Sequence, residues 1–290
     1  MSSSLLEVEN LSVSYLEPQP VCVVDRVTFC IDYGETMALV GESGSGKTTL
    51  AKAMLRLFDH SGKALVSGNI RLEDSDLAGL SEAELNKIRG KKIGIIFQEP
   101  LLALNPVFRV GAQIAETIRL HTKLHRKAAR ERALNLLTQV GLNPARRIYR
   151  FFPHQLSGGM RQRVMIAIAF ACRPQLIIAD EPTSALDAPL RSDLMSFLVG
   201  HCQRRRAALL LITHDLGLAL QFSQKIMIMY RGKIVEQGST ASITMRPQHP
   251  YTQRLLALNA KSILDSIDDS YRFLNLAEHC SANLVSQSAW

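Results

Sequence analysis

Gly41-Glu42-Ser43-Gly44-Ser45-Gly46-Lys47-Thr48 fits the pattern GxxxxGK[ST], and its flanks decide how it reads. Just before it, Thr36–Val40 is a short continuous apolar run of the kind a buried strand needs, and just after it residues 47–58 carry helical spacing. Strand, glycine-rich loop and helix in that order build a cradle for anions. The glycines let the backbone curl until successive N–H groups and the helix start point at phosphate oxygens. Within that cradle Lys47 is placed to reach the β- and γ-phosphates, the Thr48 hydroxyl to ligate Mg²⁺, and Thr49 to add an α-phosphate contact. A glycine-rich turn without chemistry is the rival reading, and the flanking elements count against it.

Working outward, the segment before this loop alternates apolar and polar positions (Leu6, Val8; then Val27, Phe29, Ile31), which predicts antiparallel strands with one wet face. Between residues 100 and 172 the character changes. Residues 110–120, 126–140 and 159–172 all read as helices, broken at Pro106, Asn143-Pro144 and Pro153, so a helical subdomain is expected there. Afterwards buried-strand runs at 176–179, 208–212 and 226–230 alternate with helical stretches at 189–202 and 216–222, the order a parallel sheet requires. The fold class is therefore α/β with an antiparallel β layer and an inserted helical piece. From about residue 261 no strong periodicity continues, and the reading is one domain over 1–258 with an appendage or tail at 259–290.

Two further stretches carry chemistry. The apolar run 176–179 ends in Asp180-Glu181, two acids leaving a buried strand together. Such a pair by itself can be an ordinary helix start. Behind a phosphate loop, an aspartate there can hold Mg²⁺ through its water shell, and the adjacent glutamate can polarise an attacking water. Leu156-Ser157-Gly158-Gly159-Met160-Arg161-Gln162-Arg163 opens the preceding helix with a second polar, glycine-rich turn. Ser157 is a good N-cap residue, and the same turn is an anion site. Since the chain already has one phosphate cradle, the second suggests a site supplied in trans.

Composition bounds the rest. With 290 residues and 47% hydrophobic content the chain can bury a sizeable core. No apolar run approaches the ~18 to 20 residues of a membrane span. Residues 1–10 offer neither a cationic start nor an apolar h-region, so a cytosolic location without a secretory leader is expected. The five cysteines are scattered without a CxxC pair, which predicts neither disulfides nor a metal site. The net charge of +8 gathers at residues 123–132 and 204–206, compatible with solvated helix faces, nucleic acid or an anionic membrane surface.

Taken together these motifs resemble the ATP-binding cassette (ABC) family over nearly all of residues 5–258. Gly41 to Thr48 is similar to its Walker A motif, Gln98 in Phe97-Gln98-Glu99-Pro100 to the Q-loop, and Leu156 to Met160 to the signature motif, with Met160 where glutamine is commoner. Asp180-Glu181 resembles Walker B with the catalytic glutamate, Ser184-Ala185-Leu186-Asp187 the D-loop, and His214 the switch histidine. Tyr15 stands where the family places an adenine-stacking aromatic, with an ordinary half-buried strand aromatic as the lesser, rival reading. His214 alone would read as a structural or surface histidine. Finer resemblance, in Leu104-Asn105-Pro106, in residues 160–167 and in His249-Pro250-Tyr251-Thr252, points to importers of dipeptides, oligopeptides and nickel. Pro250 could also simply begin a helix.

The resemblance implies a P-loop NTPase core, a RecA-like parallel sheet, carrying the antiparallel β subdomain and the inserted helical subdomain. It implies ATP and Mg²⁺ as cofactors. ATP would be held by Tyr15, residues 41–49 and Ser157, Gly158 and Gly159, with Thr48, Gln98 and Asp180 at the metal. Catalysis would fall to Glu181, His214, Gln98 and Lys47. Two cassettes would clamp each ATP head to tail. The expected partners are two transmembrane permease subunits, a second ATPase subunit, identical or homologous, and an extracytoplasmic solute-binding protein, with no nucleic acid. The expected place is the cytoplasmic face of the inner membrane, peripherally. Nickel or another small solute is the alternative cargo, and a soluble ABC ATPase of DNA repair or translation the alternative class. A P-loop kinase explains neither the second anion-binding turn nor the acid pair. Many peptide-importer subunits continue into a cysteine-rich segment; here Cys280 alone follows Cys202.

Overall fold

A computed structural model describes residues 4–58, 64–184 and 188–259. The expected appendage beyond Asn259 lies outside these residues, as do Ala185, Leu186 and Asp187 of the D-loop resemblance.

The strands are β1 (Ser4–Tyr15), β2 (Val21–Asp32), β3 (Thr36–Val40), β4 (Ala64–Leu72), β5 (Ser75–Asp76), β6 (Ile93–Ile96), β7 (Leu176–Asp180), β8 (Ala208–Thr213), β9 (Lys225–Tyr230) and β10 (Lys233–Ser239). The helices are α1 (Lys47–Met54), α2 (Glu82–Ile88), α3 (Pro100–Ala103), α4 (Val110–His121), α5 (Arg126–Gln139), α6 (Ala145–Ile148), α7 (Gly158–Ala169), α8 (Ala188–Arg205), α9 (Leu216–Phe222), α10 (Thr240–Met245) and α11 (Pro250–Leu258). They surround two sheets, an antiparallel one in the order β2-β1-β4-β5 and a larger one in the order β10-β9-β3-β8-β7-β6. Within the larger sheet β9, β3, β8, β7 and β6 run parallel, and β10 folds back antiparallel on β9.

Every residue of β3, β7 and β8 is buried, because the larger sheet is covered on both faces. Alternate side chains divide between two cores. Ala38, Val40, Ile177, Ala179, Leu209 and Leu211 pack with buried residues of α4, α5, α7 and α8. Met37, Leu39, Leu176, Ile178, Leu210 and Ile212 face the other way, onto β1, β2 and the buried side of α1. Thus α1 and the loop before it lie on the face covered by the antiparallel sheet.

The register aligns the carboxyl ends of the parallel strands. Val40 pairs with Thr213, Asp180 with Ile212 and Ile96 with Ala179, so whatever follows β3, β8, β7 and β6 emerges at one edge. That edge is where open α/β sheets bind ligands.

Some local readings needed correction. The helix expected over 47–58 stops at Met54. Arg56 adopts a left-handed backbone (φ 49), which an α-helix cannot continue, and its guanidinium donates to the carbonyls of Leu77 (3.1 Å) and Leu80 (2.6 Å). The pattern of the sequence does not reveal β4, nor α2, whose start is held by the Glu84 carboxylate accepting the Ser81 N–H (2.9 Å) and hydroxyl (2.6 Å).

Gly68 shows how the antiparallel sheet accommodates an irregularity. Between the pairs Glu9↔Asn69 and Ser12↔Ser67, β1 carries one extra residue, a bulge in which Asn10 is left-handed (φ 49). Opposite it Gly68 has φ +105, and a Cβ there would sit 2.6 Å from the Asn10 carbonyl oxygen and 2.7 Å from Leu11 Cα, both backbone atoms. Gly68→Ala is therefore expected to destabilise the fold by roughly 1–3 kcal/mol, read as a lower midpoint in urea unfolding with an unchanged slope.

Candidate functional site

The phosphate-type loop is built by close backbone approach. Gly46 has φ +107 and a Cβ there would meet the Val23 carbonyl oxygen of β2 at 2.6 Å, so the position tolerates only glycine. From the other side Gly232, in the turn between β9 and β10, donates its N–H to the Ser45 carbonyl (3.0 Å) and accepts from the Asp25 N–H (2.8 Å). The loop is thereby stitched to both sheets.

Inside the loop Lys47 is 6% exposed, and its Nζ donates to the carbonyls of Gly41 (2.7 Å) and Glu42 (2.9 Å). Burial pulls its pKa below the ordinary lysine range, while the charges of Glu181 and Asp180 act the other way. Ser45 Oγ is buried with no hydrogen-bond partner among the described residues. Asp180, at the end of β7, is 6% exposed and lines the same cleft as Thr48, yet its Oδ1 has no partner among the described residues. Burial chiefly, and then the neighbouring Glu181 charge, raise the Asp180 pKa against the opposing pull of Thr48 and Lys47. A buried carboxylate oxygen left without a partner is costly unless something binds it. Beside Thr48 and Gln98, it offers hard oxygen donors suited to a small divalent cation.

Glu181 follows in a left-handed conformation (φ 47), held there by its N–H on the Ile212 carbonyl (2.9 Å). Strain of this kind in a non-glycine residue, imposed by the adjacent strand, is typical of functional positions. Its carboxylate Oε2 lies 2.7 Å from His214 Nδ1, and His214 is the more exposed partner. His214 is carried by the end of β8, and Asp215 after it caps α9 by accepting the Leu218 N–H (3.1 Å). Gln98, two residues beyond β6, joins Thr48, Lys52, Phe97, Glu99, Leu102, Ala103 and Asp180 around a cleft of about 360 Å³. Lys47, Thr48, Gln98, Asp180, Glu181 and His214 are thus brought to one edge of the sheet from four strands.

The remaining expected residues sit apart from this cleft. Tyr15, at the end of β1, is half-buried and meets Phe58 edge-on (6.2 Å, 77°). Ser157 is exposed and caps α7, its Oγ accepting the Met160 N–H at 3.3 Å. Gly158 has open space beside its Cα, and no hydrogen bond among the described residues joins 157–159 to 41–49. The capping reading of Ser157 is realised, and the exposed turn stays available to an outside ligand.

Comparison with known proteins follows from this arrangement. The family described as ABC transporter matches residues 24–184. The chain is 46% identical over 255 residues to the oligopeptide transport ATP-binding protein AppD of Bacillus subtilis (strain 168), covering 88% of this chain and 78% of that protein. It is 44% identical over 255 residues to the dipeptide transport ATP-binding protein DppD of Escherichia coli (strain K12), covering 87% and 77%. Among solved structures, a dimeric ATP-binding cassette in a post-hydrolysis state, bound to ADP and Pi, matches with a TM-score of 0.73 at 28% identity, covering 81% of this chain and 98% of that one.

The structure adds a residue that sequence reading had not singled out. Gln162, 3% exposed on α7, donates through Nε2 to the carbonyl of Pro182 (2.6 Å), next to Glu181. Twenty residues separate the partners, so no local pattern reveals the bond. Gln162→Ala leaves a buried carbonyl unpaired and is expected to cost about 1–3 kcal/mol, measured by chemical denaturation.

Proposed function

This chain belongs to the ABC transporter family, and from that premise we propose that it is the ATP-hydrolysing subunit of an importer for di- and oligopeptides. The observation that carries the hydrolytic reading is the meeting of Lys47, Thr48, Asp180, Glu181 and His214 at one sheet edge, with Asp180 Oδ1 and Ser45 Oγ buried and unpaired. The peptide cargo is supported by the names of the relatives AppD and DppD.

In this reading the triphosphate lies along the N–H groups of residues 43–49 at the start of α1. Lys47 exchanges the carbonyls of Gly41 and Glu42 for the β- and γ-phosphates. Thr48, Asp180 and Gln98 would hold Mg²⁺, which when bound neutralises charge on the phosphate oxygens. Glu181 orients the attacking water and takes its proton. His214, 2.7 Å from the Glu181 carboxylate, holds that carboxylate in place and presents its exposed ring toward the γ-phosphate. Phosphoryl transfer of this type needs positioning and charge more than covalent participation. Tyr15 supplies an aromatic face for adenine.

One component comes from outside the chain. Ser157, Gly158 and Gly159 donate to the γ-phosphate held by a second cassette, and the second cassette returns the same service. This is supported by the exposure of Ser157 and by the separation of its turn from the chain's own loop. A solved cassette of similar fold, bound to ADP and Pi, is itself dimeric. Exposed apolar side chains at Phe97, Leu101, Leu102, Val107 and Phe108, beside Gln98, suit contact with a membrane subunit. Among the described residues no helix is long and apolar enough to cross a membrane. In this reading the transport path belongs to two permease subunits, fed by an extracytoplasmic binding protein, with this chain peripheral on the cytoplasmic face, as the names of its relatives as transport ATP-binding proteins support.

Two substitutions test the scheme. Glu181→Gln is expected to keep ATP binding, lower turnover by about 10²-fold or more, and accumulate a nucleotide-bound dimer in size-exclusion chromatography with saturating Mg-ATP. A variant that stays monomeric there, even with its membrane partners, would sink the clamp. Ser157→Ala is expected to reduce turnover by about 10²-fold while ATP titration of the isolated chain gives the unmodified affinity. Weakened docking in the isolated Ser157→Ala chain would instead place that serine at its own phosphate loop.

A further inference from the structure

The His249-Pro250-Tyr251-Thr252 stretch has no part in the hydrolytic scheme, yet it reaches the phosphate loop. Tyr251 opens α11 and is 9% exposed. The Glu42 N–H donates to its hydroxyl oxygen at 3.3 Å. Burial first, and the nearby Glu42 carboxylate with it, keep the phenol's pKa above the ordinary tyrosine range, so the hydroxyl retains its proton.

The contact gains its meaning from the peptide it grips. The Gly41 carbonyl and the Glu42 N–H belong to one trans peptide unit and point in opposite directions. Lys47 Nζ holds the carbonyl end at 2.7 Å, and Tyr251 holds the N–H end. This unit is the first leg of the loop, where β3 gives way to the cradle. Once Lys47 turns to a triphosphate, the carbonyl end loses part of its grip, and Tyr251 remains.

Tyr251 is itself firmly placed. Its ring lies 4.3 Å from that of Tyr230 at 32°, over the end of β9, and the Arg231 guanidinium sits 5.1 Å above Tyr230. The turn before α11 is pinned by Glu236 of β10, whose carboxylate accepts the N–H groups of Gln248 (2.8 Å) and His249 (3.0 Å). His249 Nδ1 in turn accepts the Tyr251 N–H (3.2 Å), capping the helix. Pro250 occupies the first helical turn, where its missing N–H costs nothing. A rigid base for one hydroxyl is the outcome.

We infer that Tyr251 is a positioning residue for nucleotide binding, whose hydroxyl keeps the Gly41–Glu42 peptide oriented while Lys47 passes from the loop carbonyls to the triphosphate. The inference rests on the reading of residues 41–49 as the ATP site, and it assigns to α11 the task of bracing that site from outside. Tyr251→Phe keeps the ring packing on Tyr230 and removes only the hydroxyl. Titration of the full chain with a fluorescent Mg-ATP analogue is expected to show a Kd raised roughly 3- to 10-fold in Tyr251→Phe. Steady-state hydrolysis should show the same rise in KM with kcat within about twofold, a split that general destabilisation would not give. Unchanged Kd and KM in a folded Tyr251→Phe protein would overturn the role of Tyr251, as would a loss confined to kcat. Lys47→Ala serves as the control that separates the two claims. If it binds the analogue like the unmodified protein, the ATP site itself is misplaced; if it fails to bind while Tyr251→Phe binds normally, only the bracing role falls.

Discussion

Five parallel strands share one hydrogen-bonded register, and the pairing of Val40 with Thr213 and of Ile212 with Asp180 is the part of it on which the chemistry hangs. Strands β3, β8, β7 and β6 are neighbours in the sheet although they are far apart in the chain. Because their carboxyl ends are level, the loop at 41–46, His214, Asp180 with Glu181, and Gln98 leave the sheet side by side. The strands are buried on both faces and their alternate side chains fit two different cores, so a slip is expensive: a one-residue shift would exchange the sets facing the two cores. The alignment of these side chains is thus a by-product of core packing.

At that edge the chain departs from the rules that govern its interior. Lys47, Asp180 and Ser45 are polar and almost fully buried, and Asp180 Oδ1 and Ser45 Oγ find no partner among the described residues. Glu181 is held in a left-handed conformation by its bond to Ile212. Each feature costs stability that the two hydrophobic cores supply, and a phosphate with its cation would satisfy the groups left unpaired. The loop bearing these costs is braced on several sides: by Val23 and Gly232 through backbone contacts, and by Tyr251 through its hydroxyl. Rigid support of this sort is what precise placement of charge demands.

The turn at 157–159 belongs to a different layer. Helix α7 packs among α3, α4 and α5, and its N-cap Ser157 is exposed. Gln162, one turn further along the same helix, nevertheless reaches Pro182 beside Glu181. The helix that begins with the glycine-rich turn is therefore mechanically joined to the sheet edge bearing Asp180 and Glu181 in its own chain. This gives the two halves of the proposed clamp a direct physical connection within one subunit.

What the sequence alone determined is local. The order strand, glycine-rich loop, helix over residues 36–54 was legible because periodicity, glycine spacing and a terminal lysine–threonine pair all act within a few residues. The apolar strands at 176–179 and 208–212, the acid pair after the first and the histidine after the second were legible for the same reason. The left-handed Arg56 that ends α1 was not, since its guanidinium is drawn to carbonyls at Leu77 and Leu80, outside any helical window. Only tertiary structure decided that Glu181 and His214 touch, that Gln162 holds Pro182, and that Tyr251 reaches Glu42 across a separation of 209 residues. Such contacts depend on strand order and helix docking, which follow from the burial of whole surfaces and leave no signature in the neighbouring sequence.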